Sequence, residues 1–129
     1  MTRTDFTTRL TELRTLKDGW LEGEGLAPDP AGLDWLAGMF EKCFPDDDPV
    51  PYIYPTPEGM VQAEWSFYPN DIGMVIDPKA HRGEMYCLNL KTGKDRVDTL
   101  DLDNRADWAW MVNLLRVKRK EQIAGRMGA

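Results

Sequence analysis

The chain has 129 residues, 42% of them hydrophobic, and a formal net charge of −6. A chain of this length buries about two thirds of its unfolded surface on folding, so neither disulfides nor a structural metal are needed to stabilise it. The charge is uneven, because residues 1–115 hold 11 Lys or Arg against 21 Asp or Glu, whereas residues 116–129 hold 5 against 1. Affinity for nucleic acid comes chiefly from neutralised phosphates, so the acidic body argues against direct nucleic-acid binding.

Location and redox state can be inferred from what the chain lacks. The N-terminal segment has no apolar run followed by a small-residue cleavage site, which a signal peptide would need. No stretch approaches the roughly 18 apolar residues of a transmembrane helix. These features predict a cytoplasmic protein without a membrane span, in which Cys43 and Cys87 are buried thiols rather than a disulfide.

Two helices are predicted near the N-terminus. From Thr4 to Leu16 the apolar residues recur every three or four positions, which indicates one helical stripe. Asp29 followed by Pro30 is typical of an N-cap and first helical residue, and a second apolar stripe continues to Phe44. The two helices are expected to form a hairpin with the loop around Trp20 at its tip.

The middle of the chain predicts an antiparallel sheet. The proline-rich, acidic segment 45–51 is expected to be an exposed connector. From Tyr52 onward apolar and polar residues alternate, as in the strand that contains Trp65, and turn residues separate successive strands. Five strands result, and Tyr86, Leu88 and Leu90 are expected to share one face of the fourth.

A third helix is predicted to follow, with Asp103 as its N-cap and Gly125 as its stop. The order α-α-β-β-β-β-β-α predicts an α+β fold in which the helices pack on one face of an antiparallel sheet. Residues 1–124 are assigned to a single domain and residues 125–129 to a short C-terminal tail.

Two blocks resemble a group of small bacterial proteins of unassigned function. The first is a Gly-Trp loop with further glycines, residues 19–28, and the second is a Pro-Thr-Pro-x-Gly turn that leads into a strand ending in Glu-Trp, residues 54–65. The resemblance covers about residues 13–76. It implies a bacterial origin and a shared fold, and it implies no mechanism.

The chain is poorly equipped for catalysis. His81 is the one histidine and lies in a polar segment that is typical of a solvated turn, and Ser66 is the one serine and lies outside any nucleophile motif. One histidine and two distant cysteines do not form a local zinc site. We therefore expect no catalytic residues, no cofactor and no bound metal.

The first hypothesis is a non-catalytic protein-interaction module, such as a bacterial or phage partner, inhibitor, antitoxin or defence accessory. Aromatic residues surrounded by polar ones are common at protein interfaces. The predicted partner-binding residues are Trp20, Glu22, Glu24, Tyr52, Tyr54 and Glu58.

The basic C-terminal segment suggests a second contact site for an acidic partner or phosphates, although cations there also complement the helix dipole. The residues concerned are Arg116, Lys118, Arg119 and Lys120. A homodimer formed along an exposed edge strand is a further hypothesis, which charges at Asp95, Arg96 and Asp98 would oppose.

Two alternatives have geometric requirements. An acidic mimic of nucleic acid would need Asp46–Asp48, Asp71, Asp77, Asp95, Asp98 and Asp101 to line one face. A small-ligand protein or enzyme would need Glu22, Glu24 and Glu64 to meet in a pocket beside Trp20 and Trp65, where paired carboxylates would serve as acid and base.

Overall fold

The computed structural model describes residues 2–128 and confirms the predicted order of helices and strands. The strands form one antiparallel sheet in the order β1-β2-β3-β4-β5, so each strand pairs with its neighbours in sequence. Ala129, in the predicted tail, lies outside the described residues. The elements are α1 (Arg3–Arg14), α2 (Pro30–Cys43), β1 (Tyr52–Pro55), β2 (Val61–Phe67), β3 (Asn70–Asp77), β4 (Arg82–Asn89), β5 (Asp95–Asp101) and α3 (Arg105–Gly128).

The first two helices begin at side-chain caps. Thr2 caps α1, because its hydroxyl accepts a hydrogen bond from the Asp5 amide while the Asp5 carboxylate accepts one from the Thr2 amide. Asp29 caps α2 as predicted, and its carboxylate accepts a hydrogen bond from the Gly32 amide at 2.9 Å. Both helices bury one apolar stripe against the sheet.

The predicted ends of the third helix are wrong. Asn104, not Asp103, precedes α3 and caps it, since the Asn104 side-chain oxygen accepts a hydrogen bond from the Ala106 amide at 2.9 Å. Asp103 instead accepts a hydrogen bond from Nε1 of Trp35 at 2.9 Å. The helix also continues through Gly125 to Gly128, because a single glycine costs a helix only about 1 kcal/mol and does not have to end it.

The sheet has one covered face. Alternate side chains of every strand point toward the helices, where they form a single hydrophobic core with the inner stripes of all three helices. Trp65 is in this core as predicted, 4% exposed, and Trp108 is 1% exposed at its centre. The helices therefore pack on one face only, as the sequence predicts.

No helix within residues 2–128 is both long enough and apolar enough to cross a bilayer.

The start of α2 touches the turn between β3 and β4. A Cβ atom placed on Gly32 would lie 2.3 Å from the carbonyl oxygen of Pro78. That oxygen is backbone and cannot rotate away, so this position requires glycine. Gly38, in the same helix, has no neighbouring atom within 4 Å of such a Cβ.

We predict that Gly32→Ala lowers the free energy of unfolding by about 3 kcal/mol, because the helix and the turn would have to separate. The matched control Gly38→Ala should raise it by up to about 1 kcal/mol, since alanine is the better helix former and meets no neighbour. Urea denaturation followed by circular dichroism measures both. Equal effects of the two substitutions would contradict the close approach of α2 to this turn.

Candidate functional site

The second face of the sheet is not covered by the helices. We call it the open face and define it by the side chains of the five strands that point away from the core. In strand order they are Tyr52, Tyr54, Gln62, Glu64, Ser66, Asp71, Gly73, Val75, Asp77, Arg82, Glu84, Tyr86, Leu88, Asp95, Val97, Thr99 and Asp101.

Strand register arranges these residues in rows across the sheet. Antiparallel partners lie side by side on the same face, so one row can be followed from β1 to β5. The central row is Tyr52, Glu64, Gly73, Tyr86 and Val97. The next row is Tyr54, Gln62, Val75, Glu84 and Thr99.

In the central row, the side chain of Tyr86 is held in place by two neighbouring residues. Its ring lies over Gly73, where an added Cβ would come within 2.2 Å of the phenol oxygen. The hydroxyl of Tyr86 accepts a hydrogen bond from Nε2 of Gln62 at 3.0 Å. The ring is thus held flat against the sheet by a glycine beneath it and an amide beside it.

Apolar groups on the open face are accessible. Tyr52 is 55% exposed, Tyr54 44%, Val75 37% and Val97 58%. Tyr52 and Tyr54 lie together on β1, whereas Val75 and Val97 lie on the two strands that flank Tyr86, with Val97 directly beside it in register. Exposed apolar surface on one face of a sheet is a feature of interaction sites when it forms a large patch.

The open face carries an excess of negative charge. Glu64, Asp71, Glu84 and Asp95 are exposed, and within residues 2–128 none of them takes part in an ion pair. Among the outward-facing strand positions, the described structure has one cation, Arg82, which pairs in register with Asp77 and Asp101 at one end of the sheet. The remaining face therefore attracts cations.

The negative charge acts on Tyr86. Burial raises the pKa of its phenol, and the nearby carboxylates of Glu64 and Asp71 raise it further, while the hydrogen bond from Gln62 opposes them. Loss of the phenol proton would put a negative charge into a half-buried, acidic site. Tyr86 therefore stays neutral at ordinary pH.

The predicted partner-binding residues fall into two groups. Tyr52 and Tyr54 lie on the open face, and their common orientation is confirmed by the burial of Ile53 between them. Trp20 belongs to the loop between α1 and α2, where its Nε1 donates a hydrogen bond to the carbonyl oxygen of Leu26 at 2.8 Å. The indole thus holds its own loop together.

The loop that carries Trp20 docks on the turn between β1 and β2. The Leu26 amide donates a hydrogen bond to the carbonyl oxygen of Pro57 at 2.8 Å, and Leu26 forms an isolated bridge with Glu58. Glu22 and Glu24 are exposed in this loop, and Glu22 has a positive φ of 51°. The loop and the turn are brought together as a hairpin tip against the sheet, and a role for them in binding stays a prediction.

The positions of Glu22, Glu24 and Glu64 do not support the predicted carboxylate pocket. Glu64 points to the open face, whereas Trp65 is buried on the opposite face, so the two side chains cannot line one pocket. A groove of about 340 Å³ does lie between the loop and the turn, but its acidic lining residues are Asp18, Asp29, Glu58 and Asp77. Within the described residues, no three His, Cys, Asp or Glu side chains converge as a metal site would require.

The acidic set required for a nucleic-acid mimic is divided between the two sides of the sheet. Asp71, Asp77, Asp95 and Asp101 belong to the open face, together with Glu64, which was predicted for the carboxylate pocket, and Glu84, which was not predicted. Of the other members, Asp46 pairs with Arg3, Asp48 with Arg116 and Asp98 with Arg96, while Asp47 is exposed in the segment before β1. The full set does not line one face.

His81 has more contacts than a solvated turn residue. Its ring stacks on Trp35 at 3.7 Å between ring centres, with an angle of 4° between planes, and its Nδ1 lies 3.0 Å from both carboxylate oxygens of Asp103. Asp103 thereby links α2 to the turn after β3. The cluster stabilises the tertiary structure, since its three members come from distant parts of the chain.

The two cysteines are free, and they differ in burial. Cys87 is 5% exposed on the inner face, where burial raises the pKa of its thiol and so disfavours the reactive thiolate. Cys43, near the end of α2, is only partly buried. The prediction of two buried thiols is therefore confirmed for Cys87 and only partly for Cys43.

No family model, curated protein or solved structure matches this chain.

Sequence reasoning missed most of the open face. It identified Tyr52 and Tyr54 but not Tyr86, Val75 or Val97, because alternation gives two faces without saying which is covered. A signal was present in β4, where Met85 and Cys87 alternate with Tyr86 and Leu88, so that both faces are apolar. When one strand is apolar on both faces and its neighbours are apolar on only one, either a second layer of structure covers the other face or that face is an exposed binding surface.

We predict that Tyr86 titrates above the ordinary phenol value of about 10. Because the folded state holds this proton more tightly than the unfolded state, the associated stability is complete below about pH 10 and is lost as pH rises further. Subtracting the ultraviolet titration of Tyr86→Phe from that of the wild type isolates the Tyr86 phenolate. A difference curve with its midpoint at or below pH 10 would contradict the burial and charge described for this ring.

Proposed function

We propose that this protein is a non-catalytic protein-interaction module that binds a basic partner through the open face of its sheet. One observation carries the proposal: a complete face of a five-stranded sheet bears exposed aromatic and aliphatic groups among carboxylates that take part in no ion pair within the described residues. Bacterial or phage inhibitors, antitoxins and defence accessories in the cytoplasm belong to this class of protein.

The apolar part of the face supports affinity. Tyr52, Tyr54 and Tyr86 present large rings with few rotatable bonds, so ordering them on binding costs little entropy. Val75 and Val97 extend the same surface toward the opposite edge. A partner that covers these groups removes apolar surface from water, which is the main source of binding energy at the centre of an interface.

The charged part of the face supports specificity. Carboxylates at Glu64, Asp71 and Glu84 surround the tyrosines and attract lysine and arginine from a distance, which raises the association rate. Arginine also stacks on tyrosine faces. We therefore expect the partner to present cations interspersed with apolar groups.

A second candidate is the acidic nucleic-acid mimic, and one observation favours it. Six carboxylates, from Glu64, Asp71, Asp77, Glu84, Asp95 and Asp101, belong to the open face. A mimic of phosphates, however, has no use for exposed tyrosines and valines between its charges, and these favour the first proposal. The two differ in outcome, because only a mimic would compete with nucleic acid for its target.

We predict that a photo-crosslinking amino acid placed at Val97 captures a protein at about one-to-one stoichiometry in cells that naturally produce this chain. Val97 is 58% exposed on the open face. The control position is Ala109, which is exposed on the opposite side of the molecule, in α3. Denaturing gels and mass spectrometry of the crosslinked species provide the measurement.

Charge reversal then tests the chemistry of the contact. Glu64→Lys combined with Asp71→Lys should reduce the crosslink at Val97 by at least about tenfold, because like charges would now oppose a basic partner. Glu41→Lys, on the exposed side of α2, should leave it unchanged. Equal crosslinking at Val97 and Ala109, or a crosslink at Val97 that ignores the reversed charges, would rule out the proposed function.

A further inference from the structure

The exposed end of α3 has the chemistry that the open face is expected to bind. We define the basic helix end as residues 116–124. The last fully buried residue before it is Leu115, and within it Val117 is 52% and Ile123 46% exposed. Its cations are Arg116, Lys118, Arg119 and Lys120, against the single acid Glu121.

The outward side of the basic helix end combines charge with apolar groups. Val117, Lys120 and Ala124 recur at intervals of three and four residues and so share one stripe of the helix. Arg119 and Lys120 are exposed and take part in no ion pair within residues 2–128. The stripe therefore offers the Lys120 cation beside aliphatic side chains, and Arg119 lies on its flank.

Two contacts hold the basic helix end in place. Arg116 forms a bidentate ion pair with Asp48, and the shortest distance between an Arg116 nitrogen and an Asp48 oxygen is 2.8 Å. The buried Asn70 donates a hydrogen bond from Nδ2 to Glu121 at 2.9 Å. The two anchored residues lie on either side of the stripe formed by Val117, Lys120 and Ala124, so that stripe is presented in a defined orientation.

The basic helix end cannot reach the open face of its own chain. The first half of α3 is fixed to the inner face of the sheet by Trp108, Met111 and Leu115, all at most 4% exposed. The sheet itself then lies between the helix and the open face. A straight helix cannot turn around a sheet, so the two complementary surfaces of one molecule can meet only in another molecule.

We propose that the open face of one copy binds the basic helix end of a second copy. Lys120 would meet the carboxylates of Glu64 and Asp71, with Arg119 approaching from the adjacent flank of the helix, and Val117 would lie against the exposed tyrosines. This inference rests on the proposed function, because it names one occupant of the same surface. A foreign basic partner would then have to displace the second copy.

The dimensions of the two surfaces agree. Nine helical residues extend about 13 Å at 1.5 Å per residue. Five strands spaced about 4.8 Å apart span about 19 Å from first to last. The segment therefore covers the central strands of the open face without projecting beyond the edges of the sheet.

Nucleic acid is a less suitable ligand for the basic helix end. The chain as a whole has a net charge of −6, and its open face alone would repel a phosphate backbone. An acidic protein surface carries its negative charges on one side only, so it can contact the basic helix end without lying near the open face of the same chain. The open face of another copy is an acidic surface of this kind, and it is present whenever the protein is in solution.

Sedimentation velocity of two charge-reversed variants tests the inference. The face variant carries Glu64→Lys and Asp71→Lys, and the helix variant carries Arg119→Glu and Lys120→Glu. The wild type should self-associate with increasing concentration and dissociate in 1 M salt, where the screening length falls to about 3 Å. Each variant alone should associate at least about tenfold more weakly, since it places like charges on both surfaces.

An equal mixture of the two variants provides the decisive measurement. The helix end of the face variant remains basic and the face of the helix variant remains acidic, and the other two surfaces are reversed together. Both contacts thus become complementary again, and self-association should return to within about threefold of the wild type. The control pair, Glu41→Lys and Lys17→Glu, changes exposed charges elsewhere and should associate as the wild type does.

A wild type that stays monomeric at low salt, or a mixture that fails to recover, would overturn the inference. So would binding of a DNA duplex that is lost in the helix variant. The Val97 crosslink separates this failure from failure of the proposed function. A foreign protein captured at Val97 by a monomeric chain would leave the proposed function standing and remove only the second copy.

Discussion

All three helices pack on one face of a single five-stranded sheet, and this asymmetry governs the rest of the molecule. One layer of helices is enough to bury the inner side chains of every strand and to build a continuous core. A meander that pairs each strand with its sequence neighbour leaves no long crossover connection that could bring a helix to the other side. The second face consequently remains available.

The asymmetry also separates two kinds of chemistry. The helix layer satisfies many of its own charges: Arg3 pairs with Asp46, Arg14 with Asp34 and Arg116 with Asp48, the last two through two-pronged contacts. On the open face Glu64, Asp71, Glu84 and Asp95 have no such partners within the described residues. On such a face the exposed aromatics are poorly solvated and the unbalanced carboxylates repel one another, and a partner that supplies both apolar groups and cations relieves both.

The turn between β3 and β4 shows how the two layers are held together. Gly32 of α2 meets the backbone of Pro78, and His81 in the same turn stacks on Trp35 and contacts Asp103. These contacts join α2, the turn and the start of α3 at one end of the sheet. A rigid junction there fixes the direction of α3, and thus the direction in which its basic end points.

The sequence alone determined the elements, their order and the fold class, because these follow from local periodicity and turn residues. Asp29 and Pro30 started α2 where the pattern predicted, and the alternation around Trp65 correctly placed that ring in the core. The N-cap of α3 was harder to predict, because Asp103 and Asn104 are adjacent and both are good N-cap residues. Only the tertiary contact of Asp103 with Trp35 decides between them.

Only the tertiary structure decided which face of each strand is covered. Tyr86 and Leu88 alternate with Met85 and Cys87, so β4 is apolar on both sides, and the helices, which lie elsewhere in the sequence, select one side as core. The same holds for the acidic residues, whose spacing along the chain gave no sign that Glu64 and Asp71 join the open face while Asp46 and Asp98 do not. Periodicity specifies two faces, and packing against distant elements determines which one meets solvent.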